Sequence, residues 1–389
     1  MRILLVGEYS GLHNSLKEGL VALGHRVVIV GNRDGFKKYP VDYNIDARFC
    51  KTKLVNIPRQ LIFRVFKYDI AKLETGIRFY LFLKKLKGFD VVQLINEAPI
   101  KTSTAFELFL LKKLFKQNPR FFLLSCGVDY NNINFHLRKE LKYSLLTPYL
   151  DNPAYKKEYR YILEYLKKDH QQLHEFVYRE CVAIIASDID YVLPLQGHPK
   201  FYGMIPNPVN LEMLEFTLPE VDSEIVIFLG INRGNYIQKG IVYFEKALAI
   251  IQKKYPGKAK IVVVENLPYR EYISSYNQAH IILDQVFAYD QGYNALEAMA
   301  KGKVVFTGAE KEFMDYYGLT ERVNINALPD VAQLVKELSI LIENPQEIIT
   351  IAKRARAFIE REHEAGKIAS KYLEAWSGNT KAGYKAEGG

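Results

Sequence analysis

The sequence predicts an α/β protein of two domains, each a parallel sheet covered by helices, and three observations carry that expectation. Residues 2–7 form an apolar run, a turn holds Gly7 and Gly11, a helix runs to about Leu23, and Arg26–Gly31 is a second buried strand. That order is a βαβ unit, which needs a parallel sheet. The pattern restarts in the second half, where a strand from Glu224 to Gly230 precedes a helix from Ile241. Finally, 389 residues are enough for two cores. Cys50, Cys126 and Cys181 are scattered and odd in number, which predicts reduced thiols. The first residues are too short and β-like for a signal peptide, and no apolar run approaches a bilayer's ~20 residues, so a cytoplasmic location is expected.

Taken in order, the first unit lacks a dinucleotide fingerprint. Gly7 and Gly11 are wrongly spaced for it, and Asn32 stands where an acid should end the second strand, which argues against a nicotinamide or flavin enzyme. His13 follows the glycine turn and is either a cleft residue or a solvated histidine at a helix start. Residues 32–58 read as irregular, and 59–87 as one long helical stretch or two. Strands at 90–95 and 120–125 end in Asn96-Glu97 and Cys126-Gly127-Val128-Asp129. Ligands of such sheets meet the loops at strand carboxyl ends, so Glu97 and Asp129 are candidate acceptor-side carboxylates. Asp129 either contacts a substrate hydroxyl or caps the next element.

A long helix is expected over roughly 154–179 and a strand at 181–185. Asp188 and Asp190 form one Asp-x-Asp, a weak metal signal with helix capping as the plainer reading; no metal is expected. Residues 207–222, rich in acids and prolines, read as a linker. Strands follow at 260–264, 281–284 and 303–307, with a last one at 323–326. Helices follow over 330–342 and 345–375, and the Gly/Lys/Ala-rich tail from 377 reads as disordered.

The chemistry concentrates in the stretch Asp284–Gly308. Gly292 precedes a helix expected to start at Asn294, where free amides and a missing Cβ suit a phosphate. Glu297 lies one turn in, where its carboxylate can accept from ribose hydroxyls; Asn294 and Glu297 can equally form a capping pair that binds nothing. Upstream, Arg233 and Lys239 lie between a strand end and a helix, where two cations can neutralise a diphosphate leaving group.

With those residues in place, the stretch resembles the donor motif of retaining glycosyltransferases of the GT-B fold, family-4 (group 1) type. Glu297 matches the family's second Glu, which holds the ribose, and Gly292 matches the second Gly of its turn. The first Glu does not match: Tyr289 stands there beside Asp290, and these two would line the sugar pocket. Gly230…Arg233…Lys239-Gly240 resembles the family's Gly-Arg…Lys-Gly pattern, Leu267 falls near its nucleobase site, and Gly11 in its first glycine loop at the cleft. Cys126 occupies the position of a His that often lies near the reacting centre, so that role does not carry over.

The resemblance implies two Rossmann-like domains facing across a cleft: 1–206 for the acceptor, a linker at 207–222, 223–360 for the nucleotide-sugar, and a helix at 361–376 crossing back before the tail 377–389. It implies glycosyl transfer to a hydroxyl, with retention and without a cofactor, service in bacterial surface polysaccharide synthesis, and catalytic roles for Arg233, Lys239 and Asp129. A GT-B-like sugar-nucleotide epimerase is the alternative, and a basic nucleic-acid-binding protein ranks below it.

The charge is lopsided. Residues 1–205 hold 32 basic and 20 acidic side chains, and 206–389 hold 21 and 24, so +12 stands against −3. Nucleic acid is not expected as a partner, since no helix-turn-helix or RNA-binding motif is recognisable. The basic segment Arg59–Lys87, with interleaved Phe63, Phe66, Phe79, Tyr80 and Phe82, is either an ordinary amphipathic element or a contact to an anionic membrane presenting a glycan or lipid-linked acceptor.

Overall fold

The computed structural model describes residues 1–34, 38–66, 69–221, 224–265 and 269–378. The expectations for Leu267, for residue 222 of the linker and for the tail from 379 lie outside the described residues. Within them, the first sheet holds β1 (Arg2–Val6), β2 (Arg26–Gly31), β3 (Tyr43–Asn44), β4 (Val91–Leu94), β5 (Phe121–Ser125), β6 (Ala183–Ala186) and β7 (Phe201–Met204), in the order β3-β2-β1-β4-β5-β6-β7. The second holds β8 (Ile225–Ile231), β9 (Ala259–Glu265), β10 (Ile281–Leu283), β11 (Val304–Thr307) and β12 (Ile325–Asn326), in the order β12-β11-β10-β8-β9. Every pairing is parallel. Central strands such as β4 and β5 are buried along their whole length, because helices cover both faces of each sheet.

Alternation along the strands assigns the two faces of the first sheet. Leu4, Val6, Val92 and Leu94 pack with the helices Thr104–Lys116 and Lys168–Glu180. Ile3, Leu5 and Val91 pack with Leu12–Ala22 and with the last helix, Ala365–Ser377. These two helices approach closely at Gly19, where a Cβ would lie 2.4 Å from the carbonyl oxygen of Ala365. The buried Trp376 completes this face, its indole N–H donating to Gln93 Oε1 at 3.1 Å.

The chain passes between the sheets twice, at one place. Val209 and Glu364 form a parallel bridge, with Val209 N–H donating to the His363 carbonyl at 2.7 Å and Ala365 N–H to the Val209 carbonyl at 3.1 Å. Burial holds the His363 imidazole down at about 4, so it is neutral and donates from Nδ1 to the Asn207 carbonyl at 2.9 Å. This crossing divides the helix expected over 345–375 into Gln346–Glu362 and Ala365–Ser377, and the Glu364 carboxylate caps the restart by accepting from Gly366 and Lys367.

Other boundaries also differ from expectation. The region 32–58 contains β3 and the start of a helix, Lys53–Phe66, with Pro58 inside it; the carbonyl that proline leaves without a partner belongs to Leu54, in a turn open to water. A separate helix, Ile70–Phe82, follows. The long helix expected over 154–179 is broken into 3-10 and α pieces before Lys168–Glu180, with Lys167 extended. Tyr159 and Ile162 pack into a small core with Ile133 and Leu146.

Candidate active site

The carboxyl ends of both sheets meet, and hydrogen bonds across the seam define how. After β6, the Asp190 carboxylate accepts from the backbone amides of Tyr289 and Asp290 at 3.1 and 3.2 Å. In return the Asp290 carboxylate accepts from the Ile189 amide at 3.1 Å. Burial raises the pKa of Asp188, Asp190 and Asp290, and repulsion from neighbouring carboxylates adds to it at Asp188 and Asp190. A second contact lies nearby: Glu310 accepts from Lys142 Nζ at 2.7 Å and from the Tyr143 hydroxyl at 2.5 Å, and the Lys142 amide donates to the Tyr289 hydroxyl at 3.0 Å. Tyr289 and Asp290 are therefore buried in the seam, where they hold the first domain.

On the second domain, Lys239 is positioned by its surroundings. Gly240 adopts φ +65°, and a Cβ there would lie 2.3 Å from Val286 Cγ2. The Lys239 carbonyl accepts from the Val286 amide, and its ammonium, 30% exposed, donates to Asp284 Oδ1 at 2.7 Å. Asp284 itself is buried at the end of β10, with Asn294 Nδ2 and Thr307 Oγ1 each 3.4 Å from its carboxylate. Arg233 lies in the turn after β8, paired with Glu265 at the end of β9 and stacked over the Tyr236 ring at 4.9 Å.

The helix after the glycine turn starts one residue earlier than expected, at Tyr293, and runs to Ala300. Gly292 is its N-cap and no side chain caps it, so the Asn294–Glu297 capping pair is not formed; Asn294 instead points toward Asp284. Gly292 has φ −77°, and a Cβ there would meet nothing nearer than Gln285 Nε2 at 3.9 Å. Neither backbone conformation nor protein packing requires glycine at this point. Glu297 is half-buried in the second turn. The Tyr293 hydroxyl donates to the Pro208 carbonyl, just past the end of the first domain.

On the first domain, Gly11 has φ +89° and is covered by the Tyr39 ring, 2.9 Å from where a Cβ would be. Glu8, not singled out from the sequence, is buried beneath the loop and accepts from the amides of Gly11 and Asn14 at 2.9 and 3.0 Å. Burial pushes its carboxyl up to about 7. The reading of His13 as solvated is corrected: it is fully buried, donates from Nδ1 to the Gly7 carbonyl at 2.7 Å, and is held neutral by burial, at about 4. Glu97 is buried too, accepting from Tyr130 N–H and paired with His174 Nδ1, each at 2.9 Å. Asp129 caps the helix Tyr130–Leu137, accepting from Asn132 N–H at 2.6 Å and from Ser125 Oγ at 3.1 Å. Its pKa is raised by burial and by Glu97. Burial also raises the Cys126 thiol to about 12, leaving it neutral. Lys101, also missed from sequence, lies 4.1 Å over the Tyr9 ring with a left-handed backbone, φ +63°.

Lys239, Asp284, Asn294 and Thr307 thus form one cluster, while Arg233 is held to its side by Glu265. Among the described residues no group of three or more His, Cys, Asp or Glu is arranged to hold a metal. No helix among them is long and apolar enough to cross a membrane.

Residues 239–374 match the family model described as glycosyl transferase-like. A comparison with curated protein sequences finds no match. Among solved structures, the chain is similar to sucrose-phosphate synthase from Thermosynechococcus elongatus, at 14% identity over 97% of this chain and 98% of that one, with a TM-score of 0.61. It is similar to HepE from Anabaena in complex with UDP-glucose, at 13% identity over 97% and 99%, TM-score 0.56. A glycosyltransferase from Rickettsia africae is similar at 14% identity over 98% and 99%, TM-score 0.53. The structural likenesses establish the fold as GT-B, two parallel-sheet domains facing one another. The likeness to glycosyl transferases in sequence is carried by residues 239–374 of the second domain.

Proposed function

We propose that this enzyme moves a sugar from a nucleotide-diphosphate donor on the second domain to a hydroxyl of a glycan or lipid-linked acceptor on the first. The transfer proceeds with retention at the anomeric carbon and needs no metal. One observation carries the reading: Lys239, fixed by Gly240 and Asp284, stands beside a helix start at Gly292 that no side chain caps. Uncapped amides and a nearby ammonium suit a diphosphate, and a glycine that packing does not require leaves room for it to approach the backbone. Glu297, one turn further on, takes the ribose hydroxyls. The C1–O bond to the diphosphate breaks with its electron pair, the acceptor oxygen bonds C1, and its proton leaves with the diphosphate. Lys239, with Arg233 once released from Glu265, offsets the charge that develops. The HepE complex with UDP-glucose supports a nucleotide-diphosphate donor. In this reading the protein serves bacterial surface polysaccharide synthesis on the cytoplasmic face of the membrane.

The test is a thermal-shift panel of UDP, GDP, ADP and CMP conjugates, followed by donor turnover with and without an acceptor. A ligand that binds the folded chain raises its melting temperature by mass action. A shift with one diphosphate conjugate, and turnover that depends on acceptor, supports the reading. No shift with any of them sinks it, and interconversion of the sugar nucleotide without acceptor establishes an epimerase instead.

A further inference from the structure

Away from the cleft, the first domain carries an apolar face that its own packing leaves open. On the helix Lys53–Phe66, Leu54 is 90% exposed, Ile57 69%, Leu61 56% and Val65 71%. At about 100° per residue these four fall on a single stripe. Lys53 and Arg64 are exposed beside the stripe, and Lys51 just before the helix is exposed too. The following helix, Ile70–Phe82, adds the exposed Ile77 and Leu81. Phe79, by contrast, is fully buried, so part of the aromatic signal in this segment belongs to the core.

The charge balance around this face is one-sided. From residue 47 to 87 the acids are Asp69 and Glu74. Asp69 is paired with Arg59 at 2.7 Å, and Glu74 with Arg78 at 2.7 Å while it also accepts from the amides of Arg48, Phe49 and Cys50. Both are committed to internal contacts, and the exposed Lys84, Lys85 and Lys87 add to the excess.

We propose that this face is a docking surface for an anionic lipid bilayer, with Leu54, Ile57, Leu61 and Val65 entering the acyl boundary and the surrounding cations meeting acidic headgroups. Charge complementarity selects this occupant: an apolar stripe within a basic surround fits a negatively charged interface, and each cation near that surface strengthens binding about five-fold. The inference deepens the membrane-face location of the proposed function but rests on none of the donor-site residues, so the docking surface and the transferase reading can fail separately.

Co-sedimentation of the full chain decides it, using vesicles of pure phosphatidylcholine and of an equal mixture of phosphatidylcholine and phosphatidylglycerol. The expected result is pelleting with the anionic vesicles alone, weakened by added salt. Leu54→Glu/Leu61→Glu is expected to lower the partition coefficient more than about tenfold. Lys51→Glu/Lys53→Glu is expected to lower it at least as much. These positions are exposed, so the melting temperature and circular dichroism of each variant should match the parent. Absence of pelleting with anionic vesicles overturns the proposal, as does equal pelleting with neutral ones. So does a dimer in lipid-free ultracentrifugation that Leu54→Glu/Leu61→Glu converts to monomer, since a second copy would then cover the stripe.

Discussion

Lys239→Met separates what the ammonium does for the fold from what it does for a donor. The Asp284 carboxylate is 2% exposed, and the variant leaves it with two neutral donors at 3.4 Å. Breaking a fully buried pair costs about 3–5 kcal/mol, but Lys239 is 30% exposed, which brings the expected loss to about 1–3 kcal/mol. For catalysis, losing a cation that faces the leaving diphosphate is expected to cost about 10²–10³ in kcat, by analogy with a lost oxyanion donor. The double variant Lys239→Met/Asp284→Asn removes the stranded charge, so stability should largely return while turnover stays low. Urea unfolding measures the first quantity, and single-turnover transfer of labelled sugar from the donor found by thermal shift measures the second. If the double variant regains both stability and turnover, Lys239 is structural and the assignment of the diphosphate site fails.

Three further outcomes are expected. Glu297→Gln should weaken nucleotide binding about tenfold by calorimetry, as a charge-assisted bond becomes a neutral one, with little change in melting temperature; a lower melting temperature with unchanged affinity would mark Glu297 as structural. EDTA should leave transfer intact, and loss restored by manganese or magnesium would contradict a metal-free mechanism. Glu8 has its carboxyl raised from 4.5 to about 7, so the folded chain holds that proton more tightly than the unfolded one. Its contribution therefore falls as pH rises from 4.5 to about 7, by about 3 kcal/mol, and then levels off. Glu8→Gln should remove that slope from melting curves taken across the window, and an unchanged slope would refute the assignment.

Most of the fold was legible because parallel strands buried on both faces leave long apolar runs, and β1, β4, β5 and β8 are such runs. Arg233, Lys239, Gly292 and Glu297 stand out as candidates because each sits in a short local pattern at a strand or helix end. The seam was not legible. Asp190 meets the amides of Tyr289 and Asp290 across about a hundred residues of sequence, and Glu310 meets Lys142 and Tyr143 across a still longer span. No local periodicity marks such pairs. Burial was equally hidden: His13 follows a glycine turn as a solvated residue might, yet the last helix closes over that face of the domain. The break at Lys167, which is extended, separates residues of the small core around Tyr159 from the helix Lys168–Glu180, and no local periodicity marks it.

The paired crossing at Val209 and Glu364 has a consequence for how the molecule comes into being. The sheet that begins the chain is roofed on one side by its final helix, and Trp376 fills a space beside Gln93 that nothing earlier in the chain occupies. On the ribosome, this first sheet emerges with that side covered by the helix Leu12–Ala22 alone, and stays so until the entire second domain has been made. A synthesis halted anywhere before the last helix therefore releases an N-terminal half in which Phe122 lacks its Trp376 neighbour and the face around it is only partly covered, an invitation to chaperones and proteases. The second domain, whose ends meet at the crossing, has no such dependence: its strands and their covering helices are complete once Glu362 is in place.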